Sequence, residues 1–181
     1  MTGSMQVDNN RTSPTGWFGF LWGVAGFAWI LLDAILRLSH IAVEVFSSGL
    51  SAAQWVLVVI VVTFMAYAEG YRGFQLSFSP RTAARALYLR RHPDLLAAVL
   101  APLFCMGFFR ATRRVLLIAW VGTALIIILI IGLRLTPQPW RSIVDAGVVV
   151  GLTWGLVSFL WNVRQGLRSG SYPTSPEVPS L

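Results

Sequence analysis

Residues 115–133 are 19 consecutive positions without a charge, with the run IIILII near their end. About 20 helical residues cross a hydrocarbon core of about 30 Å, so the stretch is long enough to span a bilayer. Its β-branched residues would favour strands in water. In lipid every backbone polar group must be satisfied within the segment, and an isolated span is therefore helical.

Three more segments meet the same length requirement: residues 17–36, 50–68 and 142–163. The expected fold is all-α, a polytopic membrane protein with four transmembrane helices forming one domain over residues 16–168. Composition agrees. The chain is 56% hydrophobic and only 12% charged, about half the charge of a soluble domain. Its net charge of +7, carried by 14 arginines and no lysine, would ordinarily suggest nucleic acid. So apolar a chain could not stay monomeric in water, which removes nucleic acid as a partner. The bilayer itself is the partner expected first.

The ends differ from the middle. Residues 1–15 are polar and turn-rich, and residues 169–181 are rich in Ser and Pro; both are expected to be disordered cytoplasmic tails. The first apolar run lacks a small-residue cleavage site and continues into Asp33 and Arg37, so a retained signal-anchor fits better than a cleaved signal peptide.

A fifth apolar run, residues 95–109, is short for a crossing and contains Pro102. Arginine counting decides its role. With four crossings and both termini cytoplasmic, 11 arginines lie inside and 3 (Arg37, Arg134, Arg141) outside; if 95–109 also crossed, the split would be 8 against 6. Residues 95–109 are therefore expected as an interfacial or re-entrant helical hairpin on the cytoplasmic side. Ser79-Pro80 has the form of a helix start, giving a short basic helix over 80–91. Arg81, Arg85, Arg90, Arg91, Arg110, Arg113 and Arg114 would then form a collar for anionic lipid head groups. The arginine-rich, lysine-free composition points to a bacterial inner membrane.

Three patterns inside the spans invite a role. Gly147, Gly151 and Gly155 recur every fourth residue and open a groove along one helix face, with Gly19 and Gly23 as a counterpart in the first span. Packing of the fourth helix on the first is expected, and a homo-oligomer or a larger membrane complex is the alternative use. Asp33, Arg37, His40 and Glu44 align on one helix side, which predicts that the first helix continues beyond the bilayer. Pairing of Asp33 with Arg37 and His40 with Glu44 explains them most simply. Together with Asp145 they are also the weak catalytic candidates: Asp33, His40, Glu44 and Asp145 at the outer face. Glu69 and Arg72, near the inner end of the second span, are expected to form an ion pair.

Cys105 is the single cysteine, and His40 and His92 are the only histidines, so no metal site or cofactor is expected. P-loop, nucleophile-elbow, HExxH and dinucleotide-fingerprint patterns are absent from the sequence. The spans are expected to leave the bilayer centre uncharged, with Asp33, Glu69 and Asp145 toward helix ends. The function expected is that of a non-catalytic accessory subunit, assembly factor or scaffold. The alternatives are a small oligomeric transporter or channel, and a membrane enzyme with an outer-face polar site.

Overall fold

A computed structural model describes residues 13–47 and 49–179. The expected tail at 1–12 and the last two residues lie outside that range. The fold is all-helical, with no strand among the described residues, and four of its helices are long and apolar enough to cross a membrane.

Helix α1 is unbroken from Pro14 to Ser47, so it does continue past the 17–36 span. After a short turn, Ser51 starts α2 (Ala52–Met65) with a capping box. Its side chain accepts the Gln54 N–H, and Gln54 returns the bond to the Ser51 backbone.

The next stretch departs from expectation. No loop precedes Pro80. A π-helical segment (Ala66–Phe78) runs straight into α3 (Ser79–Arg91), making a continuous rod from Ala52 to Arg91. Ser79 is helical rather than a cap, and its hydroxyl donates to the Gly155 carbonyl of another helix at 3.2 Å. Pro80 has no N–H to give to an α-helical turn, and the wider π turns just before it accommodate that loss.

The 95–109 run forms two short helices, α4 (Leu95–Val99) and α5 (Ala101–Met106), joined at Leu100. Asp94 caps α4 through the Ala97 N–H at 2.7 Å. Pro102 cannot continue the α4 ladder. At the break the Trp22 indole of α1 donates to the Val99 carbonyl at 3.1 Å. Gly107, at φ +90°, ends α5 in the left-handed conformation that glycine adopts without strain. Helix α6 (Arg113–Arg134) and helix α7 (Trp140–Ser169) complete the fold.

α7 runs parallel to the rod and α1 runs antiparallel to both. Gly147 faces Val61 and Met65, Gly151 faces Glu69, Gly155 faces Phe74, and Gly166 faces Leu87. The glycine seam of α7 thus seats the rod, not α1. The α1 glycines meet other partners: Gly19 lies against Leu89 and Ala98, and Gly23 against Ala101 and Cys105. Spacing by four defines a face; it does not say which neighbour fills it. α1 reaches α7 through aromatic side chains, with Phe27 edge-on to Phe159 at 4.7 Å.

The main core lies at the arginine-rich end. There Phe20, Phe27, Ala83, Leu87, Leu89, Ala101, Phe104 and Phe159 are buried together. Only a small cluster around Val58 and Ile143 forms at the opposite end.

The C-terminal segment also differs from the disordered tail expected. Residues 170–179 lie along the core end. Tyr172 and Val178 pack on it, the Thr112 N–H donates to the Glu177 carbonyl at 3.1 Å, and the Arg91 guanidinium reaches the Gly170 carbonyl.

Candidate functional site

Helix α6 supplies a ruler for depth. Its 22 residues rise about 33 Å, and arginines stand at both ends. Only residues 135–139 separate Arg134 from the start of α7, so Trp140 lies near the Arg134 end of that ruler. Along α7, Gly151 is about 17 Å below Trp140 and Phe159 about 29 Å below. Glu69 faces Gly151 and is therefore level with the middle of α6. Phe27 touches Phe159, and Asp33 and Arg37 lie about 9 and 15 Å above Phe27 on antiparallel α1. They too fall within a few ångströms of mid-height. Three charges thus share a level that the sequence was expected to leave empty. The span limits read from hydropathy hid this, because α1 and the rod both run past the apolar windows that define them.

The three charges face different surroundings. Asp33 and Arg37 form an ion pair at 2.9 Å, and their side chains are 42% and 78% exposed. His40 continues the same exposed stripe, and the Glu44 side chain lies outside the described ones. This stripe is turned away from the bundle, whose buried positions on α1 include Phe27, Leu31 and Ala42.

Glu69 is turned inward. Its Oε2 is buried with no hydrogen-bond partner, and it occupies the space that a side chain at position 151 would need, 2.7 Å from an added Cβ. The expected pair with Arg72 is not formed: Arg72 is exposed, and the described acid–base pairs are Asp33–Arg37, Asp94–Arg110 and Asp145–Arg141. Helical pitch explains the miss, because the π turns from Ala66 onward rotate residues three apart away from their α-helical alignment.

The outer-face catalytic candidates are not gathered. Asp145 is buried near the start of α7 and has Arg141 as its neighbour at 3.6 Å, whereas Asp33 and His40 lie on the exposed side of α1. Among the described residues no three His, Cys, Asp or Glu side chains are grouped for a metal ion. Cys105 is fully buried, and burial pushes its thiol up to about 12, so it stays protonated.

The arginine collar is partly engaged in holding the protein together. Arg85 has no exposed surface and reaches the Phe104, Phe109, Arg110 and Pro176 carbonyls at 2.7–3.1 Å, with its guanidinium 4.2 Å from the Phe104 ring centre. It cannot meet a lipid head group. Sequence reasoning gave it the same role as its exposed neighbours, because a helical face shows only that Arg85 and Arg81 share a side. Arg81 donates to Ser77, Arg90 stacks on Trp17, and Arg91 stacks on Tyr172. Arg110 pairs with Asp94 at 2.5 Å, and that bond together with the Ala97 N–H holds the Asp94 carboxyl below the usual carboxylate range. Arg113 and Arg114 are exposed.

α6 packs least on the other helices. Val115 and Ala119, near its first turns, are its buried residues. Phe108 touches Trp120 near the same end, and a side chain added at Gly122 or Gly132 would meet nothing within 4 Å.

No protein-family model matches the chain, no curated protein matches its sequence and no solved structure matches it.

Proposed function

We propose that the protein is a non-catalytic subunit, assembly factor or scaffold of a membrane complex. It would sit in a bacterial inner membrane with both termini in the cytoplasm, and it would contact its partner through the α1 stripe and α6. The orientation follows from the arginine-rich end facing inward.

The exposed Asp33–Arg37 pair at mid-height carries this reading. A charged residue at the bilayer centre costs about 3 kcal/mol even by the mildest measure, and side chains so deep cannot reach the head groups. Intramembrane charges accordingly face protein or a wet cavity. Because this pair faces away from its own bundle, a partner is the protein that covers it. The bare faces of α6 give the same partner room to pack.

The test is extraction in native lipid without detergent, comparing the wild type with the Asp33→Leu/Arg37→Leu double variant. Both substituted side chains are exposed, so the bundle should fold in either case. A defined complex that dissociates in the double variant is the expected result. A lone wild-type monomer would sink the proposal.

Glu69 favours one alternative, the small oligomeric transporter or channel. An unpartnered carboxyl at mid-height in a π-helical segment is a common setting for an ion or proton site. Proton or cation flux in proteoliposomes that Glu69→Gln abolishes would favour this alternative; inert liposomes would remove it.

A further inference from the structure

One face of α7 carries a groove of about 580 Å³ lined by Val149, Val150, Trp154, Val157, Trp161 and Asn162. It is closed on one side by Gln75 of the π segment, which accepts the Trp154 indole N–H at 2.6 Å. A second hollow of about 370 Å³ continues from Trp161 past Arg164, Gln165 and Arg168.

Depth gives the two hollows a meaning together. On the α6 ruler, Val149 is about 14 Å below Trp140, close to mid-height, and Trp161 is about 32 Å below, at the far end of the hydrocarbon span. Arg164 and Arg168 are about 36 and 42 Å below, at head-group depth on the arginine-rich side. The apolar part is therefore about one leaflet long and ends at an interfacial Trp. Both arginines are exposed, and neither belongs to any of the three described acid–base pairs.

We propose that this groove is a binding site for one anionic phospholipid of the arginine-rich leaflet. An acyl chain lies along Val149, Val150 and Val157 between Trp154 and Trp161, and the phosphate is held by Arg164 and Arg168. An apolar channel one leaflet long selects a lipid chain over a free anion, and two unpaired guanidinium groups at its mouth select an anionic head group over a zwitterionic one. None of these residues belongs to the collar described above, and the site does not rest on the partner proposed for α1.

The test is tryptophan fluorescence of the full-length protein in phosphatidylcholine vesicles doped with phosphatidylglycerol brominated on its acyl chains. Vesicles in which only the phosphatidylcholine is brominated give the comparison. Trp154 and Trp161 are isolated by difference against a Trp154→Phe/Trp161→Phe variant. Brominated phosphatidylglycerol should quench this pair well beyond its share of the bilayer. Arg164→Gln/Arg168→Gln should weaken that preference about twenty-fivefold, fivefold for each arginine. Arg134→Gln, on an exposed arginine at the opposite end of the fold, should leave it unchanged, and millimolar inorganic phosphate should not compete. Equal quenching by both lipids would overturn the proposal, as would competition by phosphate, which would indicate a soluble-anion site. Absence of quenching by either lipid would also overturn it, since it would mean that protein covers the groove.

Discussion

α6 and α7 are both long apolar helices, yet one is bare and the other is packed along its length. Hydrophobicity does not separate them, because lipid solvates an apolar side chain as well as a neighbouring helix does. What separates them is where small residues stand. α7 places Gly147, Gly151 and Gly155 in one line, and each is filled by a side chain of the rod. α6 has Gly122 and Gly132 ten positions apart, and every residue from Leu125 to Ile131 between them is Leu or Ile. In a bilayer, close approach rather than burial drives helices together. A smooth helix such as α6 is left free for a different neighbour.

The arginine-rich end, which closes like a soluble core, should give the largest effect. Arg85→Ala would remove a donor from the Phe109, Arg110 and Pro176 carbonyls and from that of Phe104, which keeps the Gly107 N–H, and would remove the contact with the Phe104 ring. A loss of about 3 kcal/mol or more is expected. Hydrogen exchange should rise across residues 95–109 and 170–179 and stay unchanged in α6.

Next comes the seam itself. Gly151→Leu drives a side chain into Glu69 and should cost about 1–3 kcal/mol in a reversible unfolding titration in mixed micelles. Gly122→Leu on α6 meets nothing and should stay within about 0.5 kcal/mol of the wild type. Equal losses at the two positions would break the contrast between the helices.

The smallest effect concerns the hairpin cap. The Asp94 carboxyl is held below the ordinary range by Arg110 and the Ala97 N–H. Its contribution is complete above the unfolded value of about 4 and is lost as pH falls through the lower folded value. Asp94→Asn should flatten the acid limb of hairpin protection while costing at most about 1 kcal/mol at neutral pH.

Helices of this kind are legible because a charge-free run of about 20 residues has one stable state in lipid. The hairpin was equally legible, since Pro102 and the flanking arginines exclude a crossing. The contacts between elements were not. Ser79-Pro80 carries every local sign of a helix start, yet the Ser79 hydroxyl is used by Gly155 and the rod runs on. The composition of residues 170–179 suggests disorder, yet Arg85 binds the Pro176 carbonyl and Arg91 that of Gly170. Asp33 falls near the end of the 17–36 span, and Arg37 and Glu69 fall just past the 17–36 and 50–68 spans, so hydropathy alone places all three at helix ends. Only the pairing of Gly151 with Glu69 and of Phe27 with Phe159 sets their common level. Candidate site residues were thus visible as residue types, and their depth and facing were set by tertiary packing.

The claim that the charged face of α1 is covered by another protein can be tested directly by placing a photo-crosslinking residue at Leu36, between Asp33 and Arg37, and irradiating intact membranes. The account predicts one discrete protein adduct that disappears in the Asp33→Leu/Arg37→Leu background, while the same probe at Val59 on the lipid-facing side of the rod yields lipid adducts alone. Lipid adducts alone at Leu36 would contradict it.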